Sequence, residues 1–259
     1  MQAVTKHGDF SGLAGDYSKY RPAYSETVLT ALLSMIEKPI AALDFVDVGA
    51  GTGIWTRMVA ARQPHSAIAV EPNDDMRQHG QADNAGLPIK WQVGSGTNTE
   101  LADQSADFLT MASSFHWVDF NEGTKEFHRV LRPGGRFCAL WNPRFIEANP
   151  LLVEIENKLY ELAPHIKRVS SGRSGITEQL TDLLNASPLF DDVIYIEGRH
   201  AVRQTPEHYI GVWRSVNDIR FQAGEEAFSK FMAYVEDRIK GLDYVETTYL
   251  TRAWSARRV

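Results

Sequence analysis

The chain has 259 residues, 43% hydrophobic and 23% charged, a globular composition long enough to build a core without disulfide or metal staples. Its 27 Lys and Arg against 33 Asp and Glu give a net charge of -6, which argues against nucleic acid as the main partner. No apolar run approaches the roughly 20 residues of a membrane span. Met1 to Phe10 has no apolar signal core, and the lone Cys138 lies in a run that looks like a buried strand, so a cytoplasmic protein with no membrane partner is expected.

In chain order, residues 1–38 read as an N-terminal helical region. Tyr17-Ser18-Lys19-Tyr20-Arg21-Pro22 is polar and aromatic. Ser25 is placed to cap a helix that runs through Ile36 and ends before Pro39. Strands and helices then alternate. Strands are expected at Leu43–Val48, Ala67–Glu71, Ile89–Val93, Ala106–Met111 and Arg136–Trp141. Helices are expected at Ile54–Arg62, from Asp74 through Gly80, and at Asn121–Leu131, the last stopped by Pro133-Gly134-Gly135. This order implies an α/β fold with a parallel sheet, helices on both faces and right-handed crossovers.

Beyond Asn142 the pattern changes. Helices are expected at Pro150–Leu162 and Thr177–Asn185 with a polar loop at Arg168–Gly175 between them, then a strand at Asp192–Glu197. Two helical stretches follow, Pro206–Val216 and Glu225–Ile239, and the chain closes on an alternating strand at Thr247–Arg257. No linker rich in Gly, Ser or Pro divides the sequence. One domain is expected, with residues 1–38 as a helical cap, 39–202 and 246–259 as the core, and 203–245 as a helical insertion over a substrate pocket.

The most informative segment is Asp47-Val48-Gly49-Ala50-Gly51-Thr52-Gly53, which follows a strand and opens a helix. Small residues there let backbone approach a ligand closely, and the helix start offers unpaired N–H groups. Ile54 occupies the last glycine position of the dinucleotide pattern G-x-G-x-x-G, so that fingerprint is not matched. An acid, Asp47, ahead of the glycines suits a cationic amino-acid cofactor better than a phosphate. Glu71, at the end of the next strand, is placed to accept both hydroxyls of an adenosine ribose.

These segments resemble motif I and the second-strand motif of class I S-adenosylmethionine (SAM)-dependent methyltransferases, and the likeness runs from about Tyr17 to Asn142. Tyr20-Arg21-Pro22-Ala23-Tyr24 resembles the opening of one small-molecule branch, with Ser25 where that branch often has proline. Ala69-Val70-Glu71-Pro72-Asn73-Asp74-Asp75-Met76, Phe115-His116-Trp117 and Arg129-Val130-Leu131-Arg132-Pro133-Gly134-Gly135 resemble its later motifs. The branch includes trans-aconitate methyltransferase-like and ubiquinone/menaquinone-methyltransferase-like proteins. The resemblance implies a Rossmann-like, seven-stranded, mostly parallel sheet with helical cap additions. It also implies in-line methyl transfer from SAM to an O, N or C atom of a small-molecule acceptor.

Cofactor contacts are then expected from Tyr20, Arg21, Asp47, Gly49, Ala50, Gly51, Gly53, Glu71, Pro72, Met76, Ser95, Gly96, Thr97 and Ser113, with Arg21 on the SAM carboxylate. Relatives often carry an acid after the third strand. Here Gly94-Ser95-Gly96-Thr97-Asn98 has none until Glu100, so adenine recognition is expected from backbone groups or from Ser95 or Thr97. His116 is the candidate general base, or else a residue that orients Trp117 and lines the pocket. Acceptor contacts are expected from Tyr17, Tyr24, Trp117, Trp141, Asn142, Trp213 and Arg214, several of which could instead be packing residues. The remaining histidines (His7, His65, His79, His128, His165, His200, His208) show no metal-ligand spacing, and no metal is expected. Two other readings stay open: a SAM-binding regulatory module without catalysis, and an NAD-dependent oxidoreductase, which the missing glycine disfavours.

Overall fold

The alternation of short apolar strands and helices builds a single seven-stranded sheet in the computed structural model of the chain. Residues 14–167, 172 and 175–259 are described, apart from the side chains of residues 16, 17, 217 and 218. The first 13 residues of the expected cap, with His7, most of the expected 168–175 loop, and the Tyr17 side chain lie outside the described residues.

The strands are β1 Asp44–Val48, β2 Ser66–Val70, β3 Ile89–Gln92, β4 Ala106–Ala112, β5 Leu131–Trp141, β6 Phe190–Gln204 and β7 Val245–Arg258. The described helices are α1 Ala14–Tyr20, α2 Glu26–Ser34, α3 Ile54–Ala60, α4 Asp74–Asp83, α5 Phe120–Val130, α6 Pro150–Leu162, α7 Leu180–Ala186, α8 Pro206–Arg214 and α9 Asn217–Arg238. The sheet order is β3-β2-β1-β4-β5-β7-β6. The first five strands pair in parallel, and β7 runs antiparallel between β5 and β6. This is the Rossmann-like, mostly parallel arrangement expected from the sequence.

Period-two alternation divides the core into two layers. Val46, Leu109, Phe137, Ala139 and Trp141 face one side, where Phe127 and Val130 of α5 and Leu180 and Leu184 of α7 cover them. Phe45, Phe108, Cys138 and Leu140 face the other, under Val28, Leu29 and Leu32 of α2 and Trp55 and Val59 of α3. Cys138 is fully buried there, and burial pushes its thiol pKa up, which keeps it an inert thiol. A third apolar cluster joins Leu152, Ile155 and Leu159 of α6 to Tyr209 and Trp213 of α8 and to Phe231 and Val235 of α9. The sequence reading counted α6 with the core; its apolar stripe packs instead on the helices between β6 and β7.

Several element bounds differ from expectation for identifiable reasons. The helix after Ser25 ends at Ser34, with Met35 as its C-cap, and Ser25 accepts from the Val28 amide as foreseen. Strand β5 begins at Leu131, and Pro133-Gly134-Gly135 bulges out of the ladder between the Ala106 and Phe108 pairings. The expected Thr177–Asn185 helix is a 3-10 turn at Gly175–Glu178 followed by α7. Strand β6 continues well past Glu197, because the polar residues to Gln204 pair with β7 at the sheet's edge. Helix α9 starts before Glu225 and is broken at Gly224, whose φ of 76° and ψ of 159° are open to glycine alone.

Phe137 sits where the aromatic rings converge, 4.9 Å from Phe127, 5.2 Å from Phe115 and 6.0 Å from Phe190 between centroids. Phe137→Ala is expected to lower unfolding free energy by about 3–5 kcal/mol, the cost of an unfilled aromatic cavity. Urea denaturation measures it; a loss under about 1 kcal/mol would mean that the layer repacks.

Candidate active site

The chain runs outward from β1 to β2 and β3, then returns to place β4 on the other side of β1. That reversal opens a crevice beyond the C-terminal ends of β1 and β4, the place where open α/β sheets bind ligands. Two turns line it. The first is the glycine turn, where Gly49, Gly51 and Gly53 have φ of 67°, 58° and 76°, all left-handed. The amides of Gly49 and Ala50 donate to the Val70 carbonyl at 2.8 and 3.2 Å, and Gly53 caps α3. A Cβ on Gly49 would strike the Ser114 side chain at 2.7 Å, whereas one on Gly51 would meet nothing within 4 Å. Gly51 is thus the glycine that opens onto space.

Glu71 stands beside this turn, buried at the end of β2. One carboxylate oxygen accepts from the Gly51 amide at 2.7 Å and the other from the Asn73 amide at 2.9 Å. Burial raises its pKa, and the two amide hydrogen bonds and the nearby Arg77 guanidinium oppose that rise. Each oxygen retains acceptor capacity after one amide bond. Asn73 caps α4 by accepting from the Met76 amide, which sets Met76 inward while Pro72 is exposed. Ser95 and Thr97 form a small turn, with the Ser95 amide donating to the Asn98 carbonyl at 2.7 Å. Gly96 is buried there against Val118.

Asp47 is not in the crevice. It is fully buried beneath the glycine turn, where it accepts from the hydroxyls of Thr56 at 2.6 Å and Thr110 at 2.9 Å. Thr110 in turn accepts from the Trp55 indole at 3.1 Å. Asp47 therefore fastens α3 and β4 to β1. Burial pushes its pKa up from 3.8 to about 7, a rise to which Glu71 adds by repulsion and which the two threonine hydroxyls oppose.

The second turn leaves β4 through Ser113, whose φ of 56° is strained for a residue with a Cβ. The Ser113 hydroxyl lies 2.9 Å from the Tyr24 hydroxyl, and Ser114 donates to the Val48 carbonyl at 3.1 Å. Phe115–Trp117 then forms a 3-10 turn, with Phe115 buried in the core and Trp117 43% exposed. The Trp141 indole N–H donates to His116 Nδ1 at 3.3 Å. An indole nitrogen can only donate, so neutral His116 carries its proton on Nε2.

The remaining expected residues divide. Tyr24 lines the crevice through Ser113. Trp141 is buried and acts on it through His116. Asn142 is used in tying segments together, donating to the Ala23 carbonyl at 2.9 Å and accepting from Thr251 at 2.8 Å. Tyr20 packs on α8, its ring 5.2 Å from His208 and against Gly211. Arg21 donates to the Ser215 carbonyl at 3.4 Å, which puts its guanidinium beside the cap. Trp213 is buried under the guanidinium of Arg144, 3.9 Å from the ring centroid. Arg214 is a correction: one residue further round α8, its side chain is 59% exposed and pairs with Glu236 on the outer surface. The sequence reading missed Thr56 and Thr110, which have no motif, and Arg144 and Glu156. Glu156 left a readable signal, a charge within the Leu152, Ile155, Leu159 stripe of α6.

Residues 46–139 match a family model described as a methyltransferase domain. An uncharacterized methyltransferase of Mycobacterium tuberculosis is 36% identical over 137 residues, 52% of each chain. An uncharacterized methyltransferase of Schizosaccharomyces pombe is 25% identical over 259 residues and 94% of each chain. A solved structure from Anaeromyxobacter dehalogenans, provisionally named a type II methyltransferase, superposes with a TM-score of 0.68 at 19% identity, covering 92% of this chain and 98% of that one. Residues 46–139 thus resemble a methyltransferase domain, and the chain as a whole shares the Rossmann-like fold of that solved structure. It spans about half the length of the first curated relatives it matches. The glycine turn is compatible with the SAM expected from the sequence on two observations: Gly51 faces open space, and Glu71 is pre-oriented beside it by backbone amides. Among the described residues no helix is long and apolar enough to cross a membrane, and no group of His, Cys, Asp or Glu is placed to hold a metal ion.

The raised pKa of Asp47 has a definite sign in stability. The folded protein keeps a proton there that the unfolded chain releases, so this contribution is full below the unfolded pKa of 3.8 and is lost as pH rises through about 7. Asp47→Asn keeps the shape without the charge. Its Tm relative to wild type is expected to climb by several degrees between about pH 5 and about pH 8. Thermal denaturation across that range tests it, and a constant offset would mean that Asp47 does not titrate there.

Proposed function

We propose that this domain transfers a methyl group from SAM to a small-molecule acceptor held between the C-terminal edge of the sheet and the cap helices. The observation that carries this reading is Glu71, buried beside Gly51 with both oxygens already aligned by amide donors. Glu71 would hold the ribose, and the open face of Gly51 would receive the amino-acid portion. Ser95 and Thr97 stand at the end of β3 for the adenine. The chemistry supplied by bound SAM is a methyl group activated on a sulfonium.

The chain's own task is to align the acceptor and exclude water, and alignment alone accounts for up to about 7–11 kcal/mol of barrier lowering. His116 lies in the 3-10 turn that follows β4, with its Nε2 shielded from solvent. With Nδ1 accepting from Trp141, it offers Nε2–H toward an acceptor oxygen or nitrogen. It thus positions the acceptor as a donor; acting as a base would require the ring to change its proton arrangement. Trp117, half exposed beside it with ring centroids 4.6 Å apart, supplies an apolar wall.

Glu71→Ala is expected to weaken SAM binding by roughly 1.5–3 kcal/mol, the scale of hydrogen bonds to a charged group. Gly51→Ala should remain folded, cost about 1–2 kcal/mol for a left-handed alanine, and weaken SAM at least as much by filling the cradle. Calorimetric titration decides both, and an unchanged Kd in folded Glu71→Ala would remove Glu71 from the site.

His116→Ala is expected to lower kcat/KM for the acceptor by about tenfold, one hydrogen bond's worth, with SAM affinity unchanged. A loss of about 10²–10⁴ in kcat together with disappearance of a basic pH limb would instead make His116 a general base.

A further inference from the structure

Trp141, whose indole N–H meets His116 Nδ1, is the last residue of β5. A tryptophan at a strand end turns about two side-chain torsions, and at 3.3 Å its bond to His116 is long. The bond persists only while the surroundings hold the ring, and two neighbours do so. Gly172 lies against the stem of the ring so closely that a Cβ there would stand 2.4 Å from Trp141 Cβ and 2.6 Å from Cγ. Its φ of 70° is likewise open to glycine. The Trp254 ring meets Trp141 edge to face, with centroids 5.7 Å apart and planes at 84°.

One side chain, Arg252, reaches both neighbours. It is the cross-strand partner of Trp141 in the last pairing of β5 with β7, so the two side chains share a face of the sheet. Its Nη1 donates to the Gly172 carbonyl at 2.8 Å, and its guanidinium covers the Trp254 ring at 4.9 Å from the centroid. Toward β6, Arg252 Nε donates to the Tyr195 hydroxyl at 2.8 Å, and that hydroxyl donates to Glu197 at 2.6 Å. Trp254 is fixed in turn by its indole N–H, which donates to the Thr181 hydroxyl at 2.9 Å. A guanidinium suits this place because separate nitrogens donate in one plane while its face lies on a ring.

We propose that Arg252 is a positioning residue for His116. By tying Gly172 and Trp254 against the Trp141 ring, it keeps the indole aimed at Nδ1 and so keeps the proton of neutral His116 on Nε2, the side offered to the methyl acceptor. Arg252 acts through Trp141 and takes no part in the transfer itself. With the clamp released, a turned indole frees Nδ1, and the proton can occupy either ring nitrogen. The Nδ1–H form then presents an acceptor at Nε2 where the Nε2–H form presents a donor. The proposal extends the role given to His116 above and rests on that reading.

Nitrogen-15 NMR of the full chain, labelled at histidine and tryptophan, reads the His116 tautomer and the hydrogen exchange of the Trp141 indole without any methyl acceptor. Calorimetric titration with SAM reads the cofactor site separately. At about pH 8, where an ordinary histidine is neutral, wild-type His116 is expected to carry its proton on Nε2. In Arg252→Gln the shifts of its two ring nitrogens are expected to converge, and Trp141 indole exchange to quicken by about tenfold or more, with the wild-type Kd for SAM. Tyr195→Phe keeps the ring but removes the hydroxyl that steadies Arg252, and should shift both signals less in the same direction. Arg257→Gln breaks a surface pair with Asp191 on the same strand and should leave both signals unchanged. The proposal is overturned if Arg252→Gln matches wild type, if Arg257→Gln disturbs His116 and Trp141 as much, or if wild-type His116 carries its proton on Nδ1. Should Arg252→Gln fail to fold, Tyr195→Phe decides by the same criteria. A tautomer that depends on Arg252 in a chain that does not bind SAM would uphold the clamp and overturn the methyltransferase reading.

Discussion

A carboxylate bonded to two hydroxyls rather than to a cation lies under the glycine turn, and the active edge is organised around it. Asp47 joins Thr56 on α3 to Thr110 on β4, and Thr110 holds the indole of Trp55. The end of β1, the start of α3 and the end of β4 are thereby held in one relation. The glycine turn above cannot shift without breaking a hydrogen bond that has no water to replace it. Glu71 depends on the same arrangement, because its Gly51 partner is part of that turn. An acid at position 47 therefore supports the glycine turn from beneath.

The two sides of the site are built on different physical terms. Around the glycine turn, buried polar groups have partners: Asp47 has its hydroxyls, Glu71 its amides, and Ser114 the Val48 carbonyl. This gives the turn a fixed geometry. Under the helices between β6 and β7, Arg144 stacks on Trp213, and the buried Tyr209 and Tyr249 hydroxyls lie close to polar neighbours without a hydrogen bond of ordinary geometry.

The parts of this domain that are local in sequence were legible from it. The glycine turn, the cap at Ser25, the first five strands and the span of α6 all follow from short-range pattern and turn chemistry. What failed depended on partners far along the chain. Strand β6 could not be read past Glu197, because residues 198–204 are polar and become a strand only by pairing with β7. Arg214 looked like a ligand group beside Trp213, but successive residues of a helix stand about 100° apart around its axis, which carries Arg214 out to solvent. Asp47 was legible as special and not as buried, since the two threonines that neutralise its demand lie nine and sixty-three positions away. Arg144 carried no local signal, and its environment is assembled from α6, α8 and β7.

The long pairing of β6 with β7 runs out to Gln204 opposite Val245, well beyond the last β5 pairing at Arg252. Topologically, the roughly 40 residues between Gln204 and Val245 are the loop of a β-hairpin, enlarged until it carries α8 and α9. A hairpin fixes its register through the ladder below and leaves the loop sequence unconstrained. This insertion can therefore diverge, lengthen or be exchanged during evolution while the strands beneath keep their alignment, so that one sheet can carry new helices from a single insertion point.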